Sequence, residues 1–193
     1  MSRKATVVLA AGHGGSDPGA CFGDYTERDE AVQIVKYIAE ILKADGISVW
    51  VSDHSKDTHQ TIPEINTTFG ASASTWAIEI HRDSASGLEK DDASTRCGIY
   101  TGNSEISRSI GLAVSNAMKA AGAHKRSWSR SHTESRHKGG LGWINQVACM
   151  SHLIELGFME GEHGDAHMRK LAAIGAAGIK AGLAEFKRIR GIA

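Results

Sequence analysis

Four side chains in this sequence carry the residue types of a metal-dependent hydrolase. His13 stands in Gly12-His13-Gly14-Gly15, directly after an apolar run. His81 follows the apolar residues 76–80, and Glu155 lies inside a late one, Leu153-Ile154-Glu155-Leu156. Glu27 opens a long helical pattern after a glycine-containing segment. Two imidazoles and a carboxylate are a common zinc set, which leaves one coordination position for water. Zinc held this way lowers the pKa of bound water to about 7 and polarises a carbonyl. A further carboxylate nearby can take and return the proton. His13, Glu27 and His81 with Glu155 would therefore suffice to hydrolyse an amide. The four are far apart along the chain, and spacing alone does not bring them together. Glu155 is the residue hardest to explain as structure, because a carboxylate in an apolar strand is costly to bury unless it is paired or acts on a ligand. The glycines around His13 point to a backbone that approaches another group closely. A phosphate cradle at residues 12–19 is disfavoured, since no Gly-Lys-Ser/Thr follows and the next helix starts too late.

The elements that must position these groups are legible as alternating patterns. Apolar β-formers mark strands at 6–10, 47–51, 76–80, 97–101 and 153–156. The strongest helix runs over 27–44, where Ala31, Ile34, Val35, Ile38, Ile41 and Leu42 keep a 3.6-residue period. Asp45-Gly46 ends it. A second helix is expected over 104–121, and a weaker one over 63–72 with Pro63 near its start. Residues 165–188 read as one or two helices, with Gly175, Gly178 and Gly182 disfavouring continuity. Residues 124–140 are polar, basic and without periodicity, which predicts a long loop. This alternation implies an α/β fold: a twisted, mostly parallel sheet flanked by helices on both faces. Open sheets of this kind place ligands at the carboxyl ends of their strands, where His13, His81 and Glu155 fall.

Length and charge narrow the class. At 193 residues the chain supports one domain with a full core, residues 1–193. Lys plus Arg and Asp plus Glu both number 22, so net charge gives no sign of nucleic-acid binding. Ten histidines make metal or acid–base chemistry worth seeking. Three widely spaced cysteines, Cys21, Cys97 and Cys149, read as reduced thiols, buried or partly buried, and not as a disulfide framework. The opening apolar run is too short for a signal-peptide core or a membrane span, so neither an export signal nor stable membrane insertion is expected. Nothing in the sequence sets an oligomeric state.

The segments AGHGGSDPGA, Glu27 opening a helix, Glu79-Ile80-His81-Arg82-Asp83-Ser84-Ala85 and Ile154-Glu155-Leu156-Gly157-Phe158, in this order, resemble the type-3 zinc amidases of cell-wall lysis. The resemblance covers nearly the whole chain. It implies an N-acetylmuramoyl-L-alanine amidase, with peptidoglycan as substrate, Zn2+ held by His13, Glu27 and His81, and Glu155 as the catalytic acid–base group. On that reading Glu155 deprotonates the attacking water and protonates the leaving L-alanine nitrogen. This sequence departs from the family at two places, having Glu79 and Asp83 where serine and asparagine are frequent. Glu79 and His81 share a strand face, so Glu79 either orients the imidazole or competes with Glu27 as ligand, and Glu27 is preferred. Without an export signal, the chain reads as a phage or prophage endolysin released by a holin. The alternatives are a zinc peptidase cutting within the stem peptide and a non-catalytic wall-binding module.

The other polar features have ordinary readings. His54, His59, His124, His132, His137, His152, His163 and His167 are expected at the surface and not as ligands. Lys125, Arg126, Arg130, Arg136 and Lys138 are either solvated or in contact with carboxylates of the stem peptide. Trp143 either lines the cleft or packs in the core, the commoner fate. Lys180, Lys187, Arg188 and Arg190 are expected on the wet face of a closing helix.

Overall fold

The computed structural model describes residues 4–192. β1 (Thr6–Ala11) leads through a glycine-rich loop into a hairpin of β2 (Cys21–Phe22) and β3 (Tyr25–Thr26). Then come α1 (Glu27–Ala44), β4 (Ser48–Val51), α2 (Thr58–Phe69), β5 (Thr75–Asp83) and α3 (Lys90–Thr95). β6 (Cys97–Thr101), α4 (Glu105–Ala120) and β7 (Trp128–Ser131) follow. The chain closes with α5 (Gly142–Gln146), β8 (Met150–Phe158) and α6 (Asp165–Arg190).

The main sheet has the order β4-β1-β5-β8-β6-β7, parallel throughout except where β6 meets β8. Alternating side chains feed two cores. Val7, Leu9, Trp76, Ile78, Ile154 and Leu156 pack against α1, α4 and α6. Val8, Ala10 and Ala77 pack against Ile62 and Ile65 of α2 and Trp143 of α5. The result is a single α/β domain with helices on both faces, as the alternation predicted. Ile34, Ile38 and Leu42 of α1 are fully buried, each contributing roughly 1.5–3 kcal/mol relative to exposure. Thr26 caps α1 by accepting from the Asp29 N–H, and the Asp45 N–H closes the last turn on Ile41.

Several details differ from the sequence pattern. α2 starts at Thr58, five residues before Pro63, because Asp57 and Gln60 form a capping box. Pro63 therefore sits inside the helix. α6 is one helix because its glycines serve packing. A Cβ at Gly178 would come within 2.7 Å of Met118, and one at Gly182 within 2.5 Å of Trp76. The basic segment is not one loop. Residues 128–131 add an edge strand to β6, and a short 3-10 turn, His132–Glu134, follows with its own capping box. Cys97 and Cys149 are buried, and burial pushes their thiols up to about 12 and about 11. Cys21, on the hairpin, is exposed, contrary to expectation.

The surface assignment fails for three histidines. His152 is fully buried, accepts from Trp76 Nε1 at 2.8 Å and places Nε2 3.0 Å from both oxygens of Ser107. Burial lowers its pKa to about 4, so it is neutral. His132 and His167 are also buried. The closing helix is amphipathic and pairs Lys180 with Asp45. Among the described residues, no helix is long and apolar enough to cross a membrane.

Candidate metal centre and cleft

Sheet register brings the chemistry together. β1, β5 and β8 are neighbours, and His81 stands opposite Glu155 across the β5–β8 pair. His81 and Asp83 lie within β5, which runs three residues further than its apolar core. The register slips between His81 and Asp83, a bulge of the kind that re-aims side chains beside functional sites. β1 pairs with β5 up to Ala11–Ile80, and the Gly12 N–H continues the ladder to the Ile80 carbonyl. The chain then turns at His13, whose φ of 65° is the only positive value at a non-glycine among the described residues. Such a conformation is costly and must be enforced by its surroundings. Gly12 has to be glycine, since a Cβ there would lie 2.2 Å from the His81 ring.

Glu27, the first residue of α1, is buried and holds both imidazoles. Its Oε2 lies 3.1 Å from His13 Nε2 and its Oε1 2.8 Å from His81 Nδ1. The Ala20 and Arg82 N–H groups also donate to this carboxylate, at 3.0 and 3.2 Å. The candidate ligand atoms of His13, Glu27 and His81 all lie within 4.8 Å of one another. The outer nitrogens face carboxylates as well. His13 Nδ1 is 2.8 Å from Asp17, and His81 Nε2 is 3.1 Å from Glu79 without forming a hydrogen bond. Glu79 in turn accepts from Thr58 Oγ1 at 3.1 Å. Metal-binding histidines characteristically present one nitrogen to the ion and the other to a carboxylate. This donor set fits a zinc-type ion, with Glu27 on the inner side and Glu79 behind His81.

Electrostatics agree with the geometry. Burial pushes the Glu27 carboxyl up, but the two imidazoles outweigh it and hold the group well below the usual range. Burial lowers His81, yet Glu79 and Glu27 together raise it well above normal. Glu27 likewise overcomes burial at His13 and raises it. Two imidazoles pulled toward protonation around one carboxylate form a site at which a cation can replace protons.

Glu155 is the opposite case. It is 9 % exposed, its Oε2 has no hydrogen-bond partner, and burial drives its pKa well above the carboxylate range, with Asp83 and Glu27 adding to the effect against His81. It lines a cleft of about 340 Å3 together with His13, Glu27, His81, Arg136 and Leu141. All four residues singled out from the sequence thus meet at one cleft.

The sequence matches the N-acetylmuramoyl-L-alanine amidases over residues 7–185. The chain belongs to that family.

Solved structures with the same fold include the amidase AmiC2 of Nostoc punctiforme, at 22 % identity and a TM-score of 0.67, covering 93 % of this chain and 97 % of that one. The apo form of Ami1 from Mycobacterium abscessus matches at 17 % identity and a TM-score of 0.71, covering 93 % and 98 %. The catalytic domain of the CD27L endolysin targeting Clostridia Difficile matches at 15 % identity and a TM-score of 0.67, covering 93 % and 97 %. No curated protein sequence matches the chain.

One feature of this peptidoglycan amidase was not assigned from its sequence. Asp17, four residues after His13, orients that imidazole; its place in the Gly-His-Gly-Gly loop was the available signal. Arg136 reaches from the basic segment to the Asp83 carboxylate and to the Ser84 carbonyl at 3.1 Å, crossing the cleft mouth. Trp143 is buried in the second core, and one edge borders a groove shared with Glu79 and His81.

Proposed function

We propose that this protein is a zinc-dependent N-acetylmuramoyl-L-alanine amidase that hydrolyses the amide between the lactyl group of N-acetylmuramic acid and L-alanine. The observation that carries the reading is Glu155, buried and partnerless, in register with His81 and facing the His13–Glu27–His81 cluster. His13, Glu27 and His81 would hold the ion, which supplies a Lewis acid for the amide carbonyl and lowers the pKa of water. Glu155 takes the proton released as water adds to the carbonyl carbon. It returns that proton to the alanine nitrogen as the C–N bond breaks, giving a lactyl carboxylate and a free amine. Burial suits Glu155 to both steps, since a carboxyl raised toward neutrality can accept and donate at working pH. Asp17 and Glu79 keep the imidazoles oriented, and Arg136 with Asp83 borders the entrance.

The deciding experiment is digestion of purified peptidoglycan with and without chelator, followed by mass analysis of the fragments. New L-alanine amino termini and muramoyl lactyl carboxylates, lost on chelation and restored by Zn2+, are expected. Cleavage inside the stem would instead mark a peptidase, and no cleavage would mark a wall-binding module. Glu155→Gln should lower kcat by about 100-fold or more while retaining metal. We further propose an endolysin role, supported by the match over nearly full length to an endolysin catalytic domain. Lysis of a host culture only when a holin is co-expressed tests that role.

A further inference from the structure

Of the lysines and arginines in the basic segment, Arg136 alone lines the catalytic cleft. Arg126 pairs with Asp92, and the Arg130 guanidinium lies over the Trp128 ring. The fold fixes where Arg136 stands. The capping box of Ser131 and Glu134 sets the short turn before it. Gly139 and Gly140 follow it with φ of 85° and 83°, and a Cβ at Gly140 would fall 2.3 Å from the His132 ring. His132 is buried, so the loop is seated on it and carries Arg136 over the cleft mouth.

The rest of the cleft wall is poorly suited to an anion. Glu27, Asp83 and Glu155 all line it. Its other arginine, Arg82, is fully buried and committed to Glu30 and two main-chain carbonyls. The Arg136 side chain is 69 % exposed, whereas Asp83 behind it is 17 % exposed. The pair therefore turns its positive end outward. Nη2 donates to the Asp83 carboxylate and to the Ser84 carbonyl, while Nε and Nη1 make no hydrogen bond among the described residues. A guanidinium held at one nitrogen and open at the other two is preorganised to receive a carboxylate.

We propose that Arg136 determines substrate specificity by binding a carboxylate on the stem residue that follows the alanine whose amide is cut. The proposal rests on the amidase reading above. Asp83, which pins the guanidinium, lies two residues beyond His81 on β5, a strand advance of ~7 Å. An extended peptide advances at most ~3.5 Å per residue, so a carboxylate borne by the next residue spans that gap. The incoming anion meets Nε and Nη1 without displacing Asp83 or the Ser84 carbonyl.

The test compares two muramyl peptides in the zinc-loaded enzyme. They differ at one group: the residue after alanine carries either a free carboxylate or its primary carboxamide. Wild type should favour the carboxylate about tenfold in kcat/KM, chiefly through KM. Arg136→Gln should abolish that preference. An unpaired Asp83 would by itself repel an anion, so Asp83→Asn/Arg136→Gln is the deciding variant, and its preference should stay below about twofold. A wild-type ratio near one, or a tenfold preference that survives in either variant, would overturn the proposal. A second arm titrates the two free stem peptides, which lack the muramyl amide, against wild type and the double variant by calorimetry. Tighter binding of the carboxylate form by wild type alone supports the role of Arg136 even if the cleaved bond proves to be another. Equal binding of the two forms to wild type, or binding of neither, refutes it. Failure of wild type to turn over either muramyl peptide counts against the amidase reading alone.

Discussion

Replacing Arg82 by methionine tests whether a buried ion pair holds the floor beneath the candidate metal centre. Arg82 directly follows His81 and is fully buried. Its guanidinium pairs with Glu30 and donates to the Phe158 and Glu162 carbonyls. Methionine roughly fills the space but leaves the Glu30 carboxylate, 5 % exposed, with His163 as its remaining partner. Removing one member of a buried pair costs about 3–5 kcal/mol, and two orphaned carbonyls add about 1 kcal/mol each. His163 offsets part of this, so about 4 kcal/mol is expected, a fall in Tm of roughly 10 °C for a chain of this size. Urea and thermal unfolding followed by circular dichroism measure it. Arg82→Met/Glu30→Leu removes both charges and should recover at least half of the loss. A single variant within about 1 kcal/mol of wild type, or a double variant less stable than the single one, would refute the reasoning.

Gly12→Ala should expel the His81 ring, on which the new Cβ would fall, and weaken zinc binding by at least about tenfold without unfolding the protein; competition with a zinc chelator reads this out. Glu79→Gln should lower zinc affinity about 10–100-fold by loosening His81 from behind, whereas a ligand swap to Glu79 would make the loss far larger than for Glu27→Gln. His152 has a folded pKa of about 4 against 6.5 when free, so the unfolded chain alone binds a proton between these values. Its contribution, about 3 kcal/mol, is fully present above pH 6.5 and fades as pH falls toward 4. The stability difference between wild type and His152→Gln should therefore shrink over that window, and a constant difference would count against it.

The sheet and its long helices could be read in the sequence because they obey simple periods. α1 was located by its apolar stripe and Asp45-Gly46, and β6 by its β-formers. The hairpin of β2 and β3 escaped, since two-residue strands have no period to detect. β7 escaped because its Trp-Ser-Arg-Ser is polar and half exposed, as an edge strand can be. His152 looked like a surface histidine because its partners, Trp76 and Ser107, are remote in the chain, and only the fold could supply them. The four cleft residues were found by their types and by resemblance; what lay hidden was the register that aligns His81 with Glu155 and the carboxylates behind the imidazoles.

The cleft draws His13 from the loop that follows β1, His81 and Glu155 from the neighbouring strands β5 and β8, and Glu27 from a helix between the first two, all distant along the chain. No short fragment contains the complete set. Loop closure over such separations is entropically slow, so the centre is completed only when the middle of the sheet has zipped. Tight zinc capture should accordingly track the final folding phase, and a coloured substitute ion such as Co2+ would report, during refolding, the moment the molecule becomes whole.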